Sequence, residues 1–192
     1  MRREKLRKIC LWAGACLLVA ATVALLLWQW RIQRASGEMA ETVASLQAIM
    51  PPAQSAVAEP RSDNEMPYLS LDGVPYVGIL ELPRYSSVLP VQARWGGISD
   101  SPCRYSGSIY DGTLQIGATT QRGQYDFYRE LSLGDSVYFT DMAGNRYAYQ
   151  ITDLHYSDHA DKETLEKYSG ELLLFIKNVY GRQYLIVTCQ KG

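Results

Sequence analysis

The sequence predicts an all-β domain with short helical inserts, preceded by one N-terminal helix. From Tyr68 onward, short apolar stretches alternate with turn residues about every ten positions, the cadence of a small β-barrel. Fourteen tyrosines but only three phenylalanines suit half-buried strands, in which the ring packs and the hydroxyl stays wet. The composition, 47% hydrophobic and 20% charged, supports one folded core.

The first thirty residues have the pattern of a membrane signal anchor. Residues 1–8 form a basic tail, and the run from Ile9 to Trp30 contains no charged residue. At about 1.5 Å per residue such a helix spans a bilayer core of roughly 30 Å. Trp28 and Trp30 stand where interfacial anchors are expected. A signal peptide cleaved near Ala35 is the alternative interpretation.

The charge distribution predicts the orientation and excludes one class of partner. Residues 1–34 carry seven basic groups and one acid, whereas residues 35–192 carry twelve basic groups and nineteen acids. Positive charge before the apolar run predicts a cytoplasmic N-terminus and an extracellular domain on a single-pass membrane protein. An acidic domain argues against nucleic acid as a partner.

Residues 31–67 are predicted to form a stalk and linker. The apolar residues Ile32, Met39, Val43, Leu46 and Ile49 have rough helical spacing, which predicts a short amphipathic helix. This apolar stripe could pair chains or be incidental to a spacer. Prolines follow among small and polar residues, which predicts an extended linker up to residue 67.

The domain over residues 68–192 is predicted from its elements in order. Alternation in "VGILELP" and "SVLPVQARW" predicts two strands, and "GSIYDGTLQIGATT" predicts two more around an Asp-Gly turn. A helical turn at 127–131 precedes a strand over 137–140, and "MAGN" leads into "RYAYQITDL". "DKETLEKY" has acids early and lysines late, which suits a helix dipole, and "YLIVTC" is the last predicted strand. Asp135, after Gly134, is expected to fix the turn before residue 137.

Three stretches in this order resemble the sortases, the membrane-anchored cysteine transpeptidases of Gram-positive bacteria, and in particular their class B-like group. They are "LIVTC" at the end of the chain, "PCRYSGSIY" from Pro102, and "LQIGATTQRGQYDFYRELSLGDSVYFTD" from Leu114. The last of these is similar to a family segment that runs through Gly-His-Asn, Arg and Leu-x-x-Gly-Asp-x-Val. The resemblance implies a sortase-type β-barrel over residues 68–192.

The resemblance also implies an activity without a cofactor or metal. In sortases a cysteine thiolate attacks the Thr-Gly bond of a sorting signal similar to Leu-Pro-x-Thr-Gly, which forms a thioester. An amine of a peptidoglycan precursor or a pilin then resolves the thioester, while a histidine transfers protons and an arginine on the next strand binds the substrate. The implied partners are secreted proteins that carry sorting signals, and those amines.

Carried onto this chain, the resemblance places the nucleophile at Cys189 and the lost histidine position at Ala118. It implies substrate contacts at Thr188, Thr119 and Arg122. The arginine would lie beyond Gly192, so we expect the closing strand of the barrel to be missing. A degenerate sortase, a gene fragment and an engineered change at position 118 are the three explanations. We therefore expect impaired catalysis.

Two functions and several smaller questions stay open at this point. The chain is either an impaired transpeptidase or a non-catalytic module that holds a sorting signal or pilin subunit. An unrelated anchored β domain is a third interpretation. His155 and His159 are the only histidines, and either could replace the lost one. With Asp158 and Asp161 they could also bind a metal, although a solvated turn is the interpretation we favour. Cys103 is expected to be a buried thiol, with a disulfide to Cys189 as the alternative.

Overall fold

In the part of the chain that the structure describes, one long helix precedes ten β-strands. The computed structural model describes residues 2–55, 65–96, 101–120, 126–168, 170–178 and 182–192. Helix α1 is Arg2–Ile49, helix α2 is Lys162–Leu165, and short 3₁₀ turns cover Pro83–Tyr85 and Asp126–Arg129. The strands are β1 (Gln54–Ser55), β2 (Leu69–Leu71), β3 (Val74–Leu82), β4 (Ser87–Gln92), β5 (Cys103–Ser106), β6 (Leu114–Thr119), β7 (Ser136–Asp141), β8 (Asn145–Ser157), β9 (Leu172–Lys177) and β10 (Tyr184–Lys191).

Eight of these strands form a ring. In order around the ring they are β3, β4, β5, β6, β9, β10, β8 and β7, and β7 pairs back to β3. β10 lies between β8 and β9 and pairs antiparallel with both. The expectation that the closing strand is missing is therefore wrong, because β10 itself completes the ring. The least connected place in the ring is between β4 and β5, which share one residue pair, Gln92 with Cys103.

The sequence-based prediction omitted β9. This strand, "LLLFIK", is buried over its first five residues and exposed only at Lys177. It runs parallel to β6, in the middle of the ring, so its two faces are both covered. A strand buried on both faces shows an unbroken apolar run instead of alternation. Because β9 was omitted, the next strand, β10, was matched to the family pattern in its place.

The end of α1 packs against the barrel instead of standing apart as a stalk. Val43 and Leu46 are buried in a cluster with Tyr76, Ile79 and Met142. Ile49, which belongs to the same predicted stripe, is 60% exposed. The helix ends there, immediately before Met50 and two prolines, because a residue before proline disfavours the helical conformation. Val43 and Leu46 of the predicted stripe thus contact this chain's own β-strands, whereas the side chain of Ile32 lies outside the described part of the chain.

Within the described part of the chain, no helix combines the length and apolarity needed to cross a membrane. The predicted spanning segment over residues 9–30 is accordingly not supported by the structure.

The turn before β7 is fixed by Asp135, as predicted. Its carboxylate is buried and accepts hydrogen bonds from Arg84 at 2.6 Å, from the Tyr85 hydroxyl at 2.6 Å and from the Ser132 amide at 2.9 Å. Burial by itself would raise the pKa of Asp135, but these hydrogen bonds outweigh burial and lower that pKa. Asp135 is therefore a structural residue that ties the turn to the segment after β3.

Candidate active site

Three neighbouring strands carry the residues that the resemblance singled out. β6 pairs parallel with β9, and β9 pairs antiparallel with β10. Side chains of alternate residues on each strand point into the barrel and belong to its main core. They are Leu114, Ile116 and Ala118 from β6, Leu172, Leu174 and Ile176 from β9, and Leu185, Val187 and Cys189 from β10.

The register places Cys189 and Ala118 at opposite ends of these strands. Ala118 pairs with Ile176, which pairs with Leu185, whereas Cys189 pairs with Leu172, which pairs with Leu114. Four residues along a strand correspond to roughly 13 Å. The expected juxtaposition of the sulfur and the position-118 side chain in one cleft is therefore wrong. The expectation failed because β10 runs antiparallel to β9 and β6. The first residues of β10 therefore lie level with Ala118, and its last residues lie level with Leu114.

The Cys189 thiol is sealed inside the barrel. The residue is 0% exposed, and burial raises the pKa of its thiol to about 12. A nucleophilic cysteine needs the thiolate, which a nearby cation or helix N-terminus normally stabilises. Cys103 is also buried, and the two cysteines form no disulfide. The environment of Cys189 is that of a structural core thiol, so its assignment as nucleophile has no geometric support.

Other residues meet at the end where Ala118 lies. Thr119 of β6 pairs with Lys177 of β9, and Lys177 pairs with Tyr184 of β10. Thr119 is buried, Lys177 is exposed and Tyr184 is half-buried. The Lys177 ammonium lies 5.9 Å from the centroid of the Tyr184 ring, and the Lys177 carbonyl accepts a hydrogen bond from the Thr120 amide at 3.0 Å. We call this end of the three strands the open end, and the end with Leu114, Leu172 and Cys189 the sealed end.

Lys177 is the site residue that the sequence reasoning missed. It ends β9, the strand that lies beside the Gly117–Ala118 segment of β6. The only sequence signal for it was the apolar run before it, "LLLFI", followed about six residues later by a second apolar run. Two adjacent strands joined by a short turn would produce that pattern.

The remaining predicted site residues do not gather around Ala118. Thr188 is buried one residue from Cys189, and its carbonyl accepts a hydrogen bond from the Thr152 hydroxyl at 3.2 Å. Thr119 does lie beside Ala118 at the open end. Arg122 lies outside the described residues.

His155 is too distant from Gly117 to replace an imidazole at position 118. His155 is on β8 opposite Ile186, three strands across from β6, and its ring lies 5.3 Å from that of Tyr168. Neighbouring strands are about 4.8 Å apart, so His155 is roughly 14 Å from the Gly117 backbone. Asp161, near His159, caps α2 by accepting a hydrogen bond from the Thr164 amide at 2.8 Å. Among the described residues, no group of three His, Cys, Asp or Glu is arranged to hold a metal.

The outer face of the same three strands is covered by apolar and aromatic side chains. Leu173, Phe175 and Ile186 are buried there beneath Leu165 of α2. Gly117 of β6 lies in the same row of the sheet as Phe175 and Ile186. Trp95, which follows β4, contacts both Tyr105 and Phe175. The exposed fraction of Trp95 is 36%. The outer face therefore presents a partly exposed aromatic surface to solvent beside the open end.

Comparison with known proteins gives a fold but no family by sequence. No protein-family model matches the chain, and no curated protein matches it. Among solved structures, sortase C-3 from Streptococcus pneumoniae matches with a TM-score of 0.53 at 17% identity, over 85% of this chain and 84% of that one. Sortase A from Corynebacterium diphtheriae matches with a TM-score of 0.52 at 13% identity, over 85% and 83%.

The chain has a sortase-like fold. A third structure, Clostridium perfringens sortase C with its C-terminal cell wall sorting motif, matches with a TM-score of 0.50 at 18% identity, over 61% of this chain and 70% of that one. The predicted sortase-type β-barrel is therefore confirmed. At these identities the likeness concerns the fold, and the chemistry must be argued from the residues of this chain.

Proposed function

We propose that this chain is a non-catalytic member of the sortase type, which binds an extended peptide at the open end and does not cleave it. The observation that carries the proposal is the set of residues at that end. By the resemblance, Ala118 takes the place of the family histidine, and the side chains nearest to solvent at that end are Lys177 and Tyr184; none of the three carries an imidazole, a thiol or a guanidinium.

The proposal follows from what each group can do. A methyl group can neither donate nor accept a proton, and the loss of general acid–base catalysis costs on the order of 10²–10⁴-fold in rate. The side chain at position 177 ends in nitrogen, so it cannot form a thioester. The thiol of Cys189 is buried, with its pKa raised to about 12. These properties support binding without turnover.

The ligand class comes from the sortase-like fold. A secreted protein with a sorting signal similar to Leu-Pro-x-Thr-Gly, or a pilin subunit, is the partner that the fold suggests. An extended segment can lie along strand ends and place alternate side chains on the surface below. The exposed Lys177 and the half-buried Tyr184 provide a polar rim, and the aromatic residues on the outer face provide an apolar floor.

The second candidate is an impaired transpeptidase that joins a sorting signal to a peptidoglycan or pilin amine. The sortase-like fold favours it. It requires a nucleophile other than the Cys189 thiol in its buried state, or an opening of the core around that thiol.

We also propose that the chain is anchored in the cell membrane, with its N-terminus in the cytoplasm and its barrel outside the cell. The support is the uncharged run from Ile9 to Trp30 and the basic residues before it. Large apolar side chains also point outward along this part of α1, including Leu17, Leu26 and Trp28. Extraction of cell membranes with alkaline carbonate should leave the chain in the pellet. Protease added to intact cells should degrade the barrel; release into the soluble fraction would contradict the anchor.

The function is tested by incubating the full chain, in detergent, with a fluorescent peptide that contains a sorting signal. Anisotropy measures binding, and electrophoresis with mass spectrometry measures cleavage and thioester formation. We expect saturable binding, no product and no adduct on Cys189. Cys189→Ala should bind equally well, and Lys177→Glu should bind more weakly. Steady release of product that Cys189→Ala abolishes would overturn the proposal in favour of the transpeptidase.

A further inference from the structure

Two aromatic rings lie directly on the backbone of Gly117. A Cβ atom built at this position would lie 2.6 Å from Cζ of Phe175 and 2.7 Å from Cη2 of Trp95. No side chain other than hydrogen fits there, because real Cβ atoms do not approach carbon so closely. Glycine inside a strand weakens it and often marks the close approach of another group. The group that approaches here is the indole of this chain's own Trp95.

The indole sits between two further rings. The centroid of the Trp95 ring is 5.1 Å from that of Tyr105, with an interplanar angle of 87°, and 5.6 Å from that of Phe175, with an angle of 55°. Tyr105 and Phe175 are 5.3 Å apart and nearly perpendicular. Edge-to-face arrangements at these separations are the favoured geometry for aromatic pairs. Gly117 thus forms a floor, and Tyr105 and Phe175 form walls, that fit one flat ring.

The walls and the occupant differ in how firmly they are held. Phe175 is 1% exposed and paired within β9, and Tyr105 lies on β5. Trp95 is 36% exposed and belongs to no strand; the last backbone bond before it joins the Ala93 amide to the Pro75 carbonyl at 2.8 Å. An indole that keeps a third of its surface in water gains only part of the stabilisation of full burial. Phe175 is therefore held more firmly than Trp95.

We propose that the surface formed by Gly117, Tyr105 and Phe175 is a binding pocket for an aromatic side chain, which Trp95 occupies in the unliganded chain. A partner peptide with an aromatic residue displaces Trp95 and places its own ring on Gly117. The pocket adjoins the open end, because Phe175 precedes Lys177 by two residues on one face of β9 and thus by roughly 7 Å. That the ligand is a peptide rests on the proposed function; the existence of the pocket does not.

The pocket is tested first with a probe that is not a peptide. Trp95→Ala in the full chain should bind N-acetyl-tryptophanamide at least about tenfold more tightly than the unmodified chain, since burial of an aromatic ring stabilises binding by more than about 1.4 kcal/mol. Equilibrium dialysis measures the affinity. Val88→Ala is the matched control, because Val88 is 39% exposed and distant from Gly117 in the sheet; it should bind no more tightly than the unmodified chain. Equal binding by Trp95→Ala and the unmodified chain would overturn the proposal.

A second variant removes the floor of the pocket. In the double variant Trp95→Ala with Gly117→Val, the added side chain should fill the space and return probe binding to the level of the unmodified chain. Circular dichroism and thermal unfolding show whether each variant folds. Where Gly117→Val does not fold, Trp95→Leu provides the comparison: a leucine in the pocket should weaken probe binding at least about threefold relative to alanine. Undiminished probe binding by the folded double variant or by Trp95→Leu would contradict the pocket.

Paired peptides then separate the pocket from the proposed function. Two extended peptides that differ only by one Trp→Ala change are titrated into Trp95→Ala, and the tryptophan peptide should bind about tenfold more tightly. Binding of the probe without binding of either peptide would support the pocket and contradict the proposed function. Equal affinity for both peptides would overturn the pocket as a site for a partner's aromatic residue.

Discussion

The two ends of β6, β9 and β10 differ although they belong to the same strands. At the sealed end, Leu114, Leu172 and Cys189 are 0% exposed. At the open end, Thr119 is buried, whereas Lys177 is exposed and Tyr184 is half-buried. A cysteine at the first end is a core residue, whereas a residue at the second can meet a ligand. The difference follows the face of the sheet as well as the end, because the core-facing Ala118, Ile176 and Leu185 at the open end are at most 2% exposed. The residues that can meet a ligand there are those on the outer face.

The largest expected effect comes from putting the same charge at both ends of β9. Leu172→Asp should destabilise the fold by roughly 4 kcal/mol or more, because it places an unpaired carboxylate in the apolar core. Lys177→Asp should change the free energy of unfolding by less than about 0.5 kcal/mol, because the site is exposed. Denaturant unfolding of the two variants measures the difference. Similar losses at both positions would mean that the open end is not open.

The next test compares thiols at the two ends. In Lys177→Cys the new thiol should react with iodoacetamide on the order of 10³-fold faster than Cys189, because a pKa raised to about 12 leaves about a thousandth of the usual thiolate. Mass spectrometry of tryptic peptides identifies the labelled residue. Cys103, which is also buried, is the internal control and should react slowly in every variant. Rapid labelling of Cys189 in the folded chain would restore it as a nucleophile.

A smaller effect is expected from returning the family histidine to position 118. Ala118 is 1% exposed and faces the barrel interior, so Ala118→His should destabilise the fold by about 2 kcal/mol through overpacking and burial of a polar ring. It should not produce cleavage of a sorting peptide, because the sulfur of Cys189 stays at the far end. Ala118→Val, which adds volume without polarity, separates the two costs. Efficient cleavage by Ala118→His would contradict the register.

The smallest effect concerns the dependence of stability on alkaline pH. The pKa of the Cys189 thiol is raised from 9.0 to about 12 by folding, so the unfolded state releases its proton first. The stability contribution is complete below pH 9 and is lost as the pH rises from 9 to 12. Near pH 10 the loss should be about 1.4 kcal/mol. Cys189→Ala should show a shallower fall over this interval than the unmodified chain, and identical profiles for the two would contradict the burial.

The sequence supported the fold class, and it failed at one strand. Alternation and the turn at "MAGN" predicted most strands of the barrel, and Asp135 does fix its turn. The strand predicted at "GSIY" is wrong, because residues 107–110 form the turn between β5 and β6. The run "LLLFIK" carries no alternation because β9 is covered on both faces. Because β9 was not recognised, the prediction assigned "LIVTC" as the central strand and Cys189 as the site residue. The contact of Trp95 with Gly117 joins a segment after β4 to β6, and no local pattern in the sequence encodes it.

The single residue pair between β4 and β5 has a dynamic consequence. Neighbouring strands elsewhere in the ring share three or more pairs, so separating them breaks more hydrogen bonds. Local unfolding begins where few backbone bonds must break, and the segment that carries Trp95 starts directly at this junction. Amide protons next to the junction should therefore exchange with solvent sooner than those of β9. The barrel can loosen there and release its indole while the rest of the ring stays intact.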